Sequence, residues 1–324
     1  MSDEMNMPMT LSVALATYNG ERYLAEQLDS IARQTRLPDE LVVSDDASAD
    51  STRDIVADFI RHAPFPVRLL VNAERLGSTR NFERAIRACA GDAIFLCDQD
   101  DVWYPSKAAL IERRFMDDPG TVLVFTDADV VDRNLNPLAL RLWEAMRFRQ
   151  PERMQIEAGD AFSVLLRRYL VTGATLAFRS RYRDLLLPIP EVWVHDAWIA
   201  MLLGGVSRLA ALSTPLIAYR VHDANQIGLP RRGMNRGKTC AMVHGPQVLR
   251  YERILARLRE FQDRYPESGD NLCRLEGTLA FLRKVAVLPD ARWRRLPGAL
   301  RILASKDYHR YARGFRSFRQ DLLR

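Results

Sequence analysis

Apolar residues along the chain follow two periods that alternate. Residues 11–17 (LSVALAT) are a short apolar run that stops at Tyr18-Asn19-Gly20, a turn signal, and they predict a buried strand followed by a loop. Over 21–34, Leu24, Leu28 and Ile31 recur at helical spacing. Leu37-Pro38-Asp39 breaks that pattern, and a second apolar run follows at 40–44. Strand, helix and strand make a βαβ unit. The cycle continues with a helix over 51–62, a strand over 67–72, a helix over 81–90 and a strand over 93–97. Right-handed crossovers turn this alternation into an α/β fold, a mostly parallel central sheet flanked by helices on both faces. Beyond it the pattern predicts a strand at 122–126, a helical stretch over 155–169, and β structure again at 172–178.

From about Gly245 the character changes, with Val248, Leu249, Ile254, Leu255, Leu258 and Phe261 at helical intervals among Arg and Glu. We therefore divide the chain into an α/β domain over 1–244 and a helical basic region over 245–324. The division falls after a glycine- and arginine-bearing stretch, 228–238, that reads as a basic loop. Charge sharpens the division. The net charge is +6, yet residues 283–324 alone hold twelve Lys/Arg against three Asp/Glu, so the tail contributes +9 and the rest −3. Such a tail, with Trp293, Tyr308, Tyr311, Phe315 and Phe318 interleaved, suits an anionic membrane surface as well as it suits a solvated helix capping the domain. Nucleic acid is not expected as a partner, because no nucleic-acid motif accompanies the charge. The four cysteines form no CxxC pair, no run of about 18 apolar residues occurs, and the first ten residues lack a basic, then apolar leader. These features predict a cytoplasmic protein, peripheral at most on the inner face of the cell membrane.

Ligands of open α/β sheets bind beyond the carboxyl ends of the strands, and acidic residues collect there. Asp45 and Asp46 follow the second predicted strand, Asp98, Asp100 and Asp101 the fourth, and Asp127 and Asp129 the next. Crowded carboxylates repel unless a cation or hydrogen-bond donors offset them. In Asp98-Gln99-Asp100-Asp101 the alternating carboxylates can hold Mg²⁺ or Mn²⁺, which in turn bridges phosphates; as an isolated motif it also reads as a solvated turn. Asp45-Asp46-Ala47-Ser48 reads equally as a helix cap. Signatures of dinucleotide-binding, P-loop, zincin and serine-hydrolase sites are absent.

Taken in order, ALATYNG (14–20), SIARQT (30–35), LVVSDDASADST (41–52), NAERLGSTRNFERAI (72–86) and FLCDQDDVWYPSK (95–107) resemble the family 2 glycosyltransferases of GT-A fold. The similarity extends over residues 11 to about 228. DQDDVW and YRVHDANQIG resemble the rhamnosyltransferase-like members that build surface polysaccharides such as O-antigen. The resemblance implies a nucleotide-sugar donor, a dTDP- or UDP-sugar with dTDP-rhamnose one candidate. Thr17 and Tyr18 would lie against its base and Asp45 at the base edge with Asp46 nearby; Arg75, Gly77 and Asn81 would line the nucleotide pocket. Asp98 would touch the ribose and Asp100 the metal, with His222 as a second metal ligand. Gly173, His195, Asn225 and Gln226 would lie by the donor sugar and diphosphate. The family's Glu-Asp pair reads His195-Asp196 here, so Asp196 takes the place of the general base while His195 replaces a glutamate. Without the resemblance, Asp196 reads as the cap of a helix over 197–203. The QxxRW motif of processive synthases is missing, which implies transfer of a single sugar to a polysaccharide or lipid-linked glycan acceptor. A nucleotidyltransferase lacks its glycine-rich phosphate loop here, and a sugar-nucleotide-binding subunit without catalysis is the remaining alternative.

Overall fold

The computed structural model describes residues 9–222 and 239–324. The first part follows the alternation read from the sequence: β1 (Leu11–Thr17), α1 (Leu24–Ala32), β2 (Glu40–Asp45), α2 (Thr52–Ile60), β3 (Val67–Val71), α3 (Ser78–Ala88) and β4 (Ala93–Asp98). These strands pair in parallel in the order β3-β2-β1-β4. Helices cover both faces, so β1, β2 and β4 are buried almost throughout, which explains their continuous apolar runs. Leu24, Leu28 and Ile31 of α1 all point into that core.

The second part is β5 (Val102–Trp103), α4 (Lys107–Asp117), β6 (Thr121–Val131), β7 (Pro137–Arg141), α5 (Leu142–Ala145), α6 (Gln150–Glu157), α7 (Ala161–Arg167), a 3₁₀ turn (Gly173–Thr175), β8 (Leu176–Arg179), α8 (Arg183–Leu186), α9 (His195–Val206) and β9 (Arg208–Arg220). Here the sheet becomes mixed. β8 enters antiparallel between β4 and β6, β9 runs parallel to β6, and β5 and β7 pair antiparallel at the margins. The continuous parallel arrangement thus belongs to β3-β2-β1-β4, with β6-β9 as a further parallel pair, because an apolar run reveals a strand but not its direction. The helical stretch expected over 155–169 is two helices, divided where Gly159 takes a φ of +93°. The third acidic cluster is not at a strand end: β6 continues to Val131, so Asp127 and Asp129 lie inside it. Asp127 accepts the Trp143 N–H (2.9 Å) and Asp129 the Tyr104 hydroxyl (2.9 Å), which are structural uses.

The helical region comprises α10 (Cys240–Glu260), α11 (Gly269–Ala286), α12 (Arg292–Ala304), α13 (Asp307–Tyr311) and α14 (Phe315–Leu323), and it begins five residues before the expected Gly245. One hydrophobic core joins it to the sheet: Leu258, Leu275, Leu279, Tyr308 and Phe318 belong to the same cluster as Trp198, Leu202 and Phe178. Between them runs α9, in which every residue is buried. None of the described helices is long and apolar enough to cross a membrane.

Candidate active site

The ends of β1 and β2 lie side by side, with Thr17 in register with Asp45. The Thr17 hydroxyl donates to Asp45 Oδ1 (2.9 Å), Ser48 Oγ donates to the same oxygen (2.5 Å), and the Ser48 N–H donates to Oδ2 (2.9 Å). Thr17 and Asp45 are fully buried, so they make a polar floor rather than an open wall. Asp46 has a separate use: its carboxylate accepts the N–H groups of Leu76 (2.7 Å) and Gly77 (2.8 Å) and the Asn72 amide (2.9 Å). It fixes the turn into α3, where Gly77 has a φ of +84°, a conformation that favours glycine although a Cβ would meet nothing there. Asn81 completes the tie, donating to the carbonyls of Ser44 (2.7 Å) and Thr17 (3.2 Å). Above this floor the half-buried Tyr18 carries the exposed Arg75 guanidinium 4.0 Å from its ring centroid. Both backbone groups of Tyr18 are held by Gln99, whose amide accepts the Tyr18 N–H (2.8 Å) and donates to the Tyr18 carbonyl (3.0 Å).

The turn after β4 meets the end of β9 because β5 pairs with β9, Val102 opposite Ala218. That pairing brings Asp100 and His222 together, with Oδ2 and Nε2 2.8 Å apart. Arg220, 1% exposed, locks the junction: it donates from Nε to the Asp100 carbonyl (2.7 Å), from its backbone N–H to Asp101 Oδ1 (2.9 Å) and from Nη1 to the Arg133 carbonyl (2.7 Å), and it pairs with Glu26. The crowding has an electrostatic cost. Burial and the nearby Asp100 and Asp196 charges push the Asp98 carboxyl up to about 8, with Lys107 partly offsetting them. Asp101 is raised well above the carboxylate range by burial and by Asp100 and Asp98. Lys107 lies fully buried behind this cluster, its ammonium donating to the Ala174 carbonyl (2.7 Å) and sitting 3.8 Å from the Trp103 ring centroid. Burial pushes its pKa down to about 7, against the pull of the neighbouring acidic groups.

This donor set suits a divalent cation. Asp100 and His222 present one oxygen and one nitrogen at a single point, and a cation there would relieve carboxylates that the protein otherwise pushes toward protonation. No group of three or more His, Cys, Asp or Glu that could hold a metal occurs among the described residues. Asp100 and His222, the candidate ligands among the described residues, would leave positions for phosphate oxygens and water, as is usual for Mg²⁺ beside a nucleotide.

The remaining wall comes from α9 and the 3₁₀ turn. Asp196, 7% exposed, accepts the Gly173 N–H at Oδ2 (3.0 Å) and its neighbour Ala197's N–H at Oδ1 (2.7 Å). It does not cap the helix: Val194 is the capping residue, without a side-chain bond. Burial and the Asp196 charge raise the pKa of the adjacent Tyr169 hydroxyl, while that residue as a whole stays 40% exposed. His195 makes no hydrogen bond to Asp196. Its ring stacks on Phe82 (centroids 4.0 Å, planes 25° apart), both nitrogens lack partners, and burial lowers its pKa, leaving a neutral imidazole that fills the wedge between α3 and Gly173.

The structure thus brings Asp98, Asp100, His222, Asp196 and Gly173 to one place and Thr17, Tyr18, Asp45, Arg75 and Asn81 to an adjoining one. Asn225, Gln226 and the basic stretch 228–238 lie outside the described residues. Gln99, Lys107 and Arg220 are site-forming residues that sequence reasoning passed over. Lys107 had a signal: Lys107, Ile111 and Phe115 share one helical stripe, and all three are buried.

Comparison with known proteins bears on the family and the fold. Residues 12–169 match the family model described as glycosyl transferase family 2. An uncharacterized glycosyltransferase of Nostoc is 26% identical over 222 residues, 67% of this chain and 66% of the relative. The dTDP-rhamnosyl transferase RfbG of Shigella flexneri is 37% identical over 97 residues, 29% of this chain and 34% of that protein. The chain therefore spans less than two-thirds of the length of these curated relatives. Among solved structures, Staphylococcus aureus TarS 1-349 in complex with UDP-GlcNAc superposes with a TM-score of 0.56 at 17% identity, covering 94% of this chain and 89% of that one, which shows a shared fold. The matched segment takes in the ends of β1, β2 and β4 and stops before Gly173, Asp196 and His222, so residues 12–169 of this chain form a glycosyl transferase family 2 domain.

Proposed function

We propose that this protein is an inverting, metal-dependent glycosyltransferase that moves a single sugar from a nucleotide-diphosphate donor to a hydroxyl of a polysaccharide or lipid-linked glycan acceptor. The observation that carries the reading is the convergence of Asp98 and Asp100, from the turn after β4, with Asp196 of α9 on one site, close enough that Asp100 and Asp196 both perturb Asp98. Asp196 is the general base: it takes the acceptor hydroxyl proton as that oxygen bonds to the anomeric carbon and the bond from that carbon to the diphosphate breaks. Inversion follows from attack opposite the leaving group. The Gly173 N–H on Oδ2 and the Ala197 N–H on Oδ1 together fix the orientation of this carboxylate. Asp100 and His222 would hold Mg²⁺ or Mn²⁺, which when bound neutralises charge on the departing diphosphate. Tyr18 and Arg75 would flank the base above the Thr17–Asp45 floor, Asp98 and Asn81 would lie beside the nucleoside, and Gly173 and His195 would line the side of the sugar and diphosphate. Similarity to RfbG over 97 residues favours a dTDP-sugar, with UDP-sugars next. A lipid-linked acceptor would place the reaction at the cytoplasmic face of the membrane.

Thermal unfolding with UDP-, dTDP-, GDP- and CMP-sugars, with and without Mn²⁺, tests the proposal beside Asp100→Ala. A ligand at about 100 times its Kd stabilises by roughly 2.7 kcal/mol. One pyrimidine diphosphate-sugar should stabilise the wild type only with metal, and the variant should lose the response; a response indifferent to both metal and Asp100 would refute the site.

A further inference from the structure

The three acidic residues of 283–324 are mostly turned to internal use. Asp307 takes the Lys284 ammonium (2.8 Å), and Asp321, 2% exposed, takes His244 (2.8 Å) and Arg324 (3.0 Å). The cations are spent less evenly. Arg295 points inward and satisfies the carbonyls of Pro289, Asp290 and Asp321, whereas Arg292, Arg294 and Arg301 of the same helix are exposed. Helix α12 itself, RWRRLPGALRILA, contains no acid.

Between those arginines lies an apolar stripe that the fold leaves uncovered. Trp293 (73% exposed), Leu296 (41%) and Leu300 (47%) sit at i, i+3 and i+7 of α12, on the side away from buried Ala299 and Ile302. Val287 in the preceding segment is 80% exposed, and Leu323, whose carbonyl accepts from Arg292 (3.0 Å), adds a further exposed apolar side chain at the start of the helix. The Arg294 guanidinium lies 4.8 Å from the Trp293 ring centroid, so charge and aromatic surface are presented together.

We propose that this face of α12 docks on an anionic bilayer, the helix parallel to the surface, with Trp293, Leu296 and Leu300 in the headgroup–acyl boundary and Arg292, Arg294 and Arg301 on lipid phosphates. The occupant must offer apolar depth and many anionic groups at once. A bilayer containing acidic phospholipid does so, and long arginine stems reach the phosphates while covering apolar surface. The proposal deepens the membrane-face reading above and rests on it, but not on the chemistry at the strand ends.

The molecule carries its own reporter, because Trp103, Trp143, Trp193 and Trp198 are at most 7% exposed and Trp293 alone faces solvent. Adding vesicles of phosphatidylglycerol and phosphatidylcholine in equal parts to the full chain should shift tryptophan emission to shorter wavelength and carry the protein into the pellet. Phosphatidylcholine alone should do neither, and binding should weaken with salt. A Leu296→Gln, Leu300→Gln double variant should bind at least tenfold more weakly, and an Arg292→Gln, Arg294→Gln, Arg301→Gln variant should lose the salt-dependent part. Both should unfold at the wild-type temperature, since the changed side chains are exposed. Failure to sediment, an unmoved Trp293 spectrum in sedimented protein, or full binding by the double variant would overturn the proposal. So would self-association without vesicles that buries Trp293, which would assign the face to a second copy. Vesicle binding is read without nucleotide, so it can succeed where donor stabilisation fails, and the reverse.

Discussion

The backbone N–H of Gly173 donates to Oδ2 of Asp196 across 3.0 Å, and a side chain on the same residue would press on His195. A Cβ there would stand 3.0 Å from His195 Nε2 and 3.5 Å from Asp196 Cβ. The donor that positions the proposed base and the space that admits it are thus supplied by one glycine.

Gly173→Ala should therefore damage catalysis more than binding. His195 cannot retreat easily, because its far side is stacked on Phe82. We expect overpacking of about 1–3 kcal/mol and a fall in kcat of roughly tenfold or more, since small misplacement of a reacting group is costly. Steady-state kinetics compared with donor-induced thermal shift check this; equal losses in both would place the effect in folding.

His195 makes a prediction about pH. Burial holds its pKa below the ordinary 6.5 although Asp196 adjoins it, so between 6.5 and the lower folded value the unfolded chain binds more protons than the native one. Stability from this residue should be complete above 6.5 and decline as pH falls below it. Denaturant melts across that range should show a shallower acid slope for His195→Gln than for the wild type, and identical slopes would remove the account.

Lys107→Met leaves the Ala174 carbonyl without its donor and removes a positive charge that partly offsets burial of Asp98 and Asp101. A lost hydrogen bond from a charged group amounts to about 1.5–3 kcal/mol. We expect a denaturation midpoint lowered accordingly and weaker Mn²⁺-dependent donor stabilisation. A variant as stable as the wild type with an unchanged metal response would show that the buried ammonium is dispensable.

Asp46→Asn tests the loop that carries Arg75. One amide face keeps the Leu76 contact, but the Gly77 N–H then meets an NH₂ group and is left unpaired. The Gly77 N–H is half-buried, so its loss should cost about 1 kcal/mol, the low end for an unsatisfied donor, and nucleotide affinity measured by calorimetry should drop while dependence on metal is retained.

What could be read from the sequence follows physical lines. β1, β2 and β4 are covered on both faces and so appear as unbroken apolar runs, and α1 declares itself through Leu24, Leu28 and Ile31. β5 is two residues long, β7 is largely exposed, and β9 carries Ser213, Thr214 and Pro215 across a register shift, so none has a clean period. The acidic residues after β2 and β4 were legible as a site, but their division of labour was not. Asp46 is committed to backbone groups thirty positions onward in the chain, and Arg220 to carbonyls that no pattern marks. Asp127 and Asp129 misled because the strand containing them tolerates inward carboxylates that find an N–H or a hydroxyl.

Helix α9 carries the proposed base in its first turn and is buried along its whole length, and part of what buries it is the helical region that follows β9. That region is consequently not a detachable address label. Removing it would strip α9 of its lining, so a truncated chain would fail as a folded protein before it could reveal anything about location. Inheritance should respect the same constraint: a lineage that alters where this protein sits must do so by resurfacing α12, residue by residue, while leaving its inner face untouched.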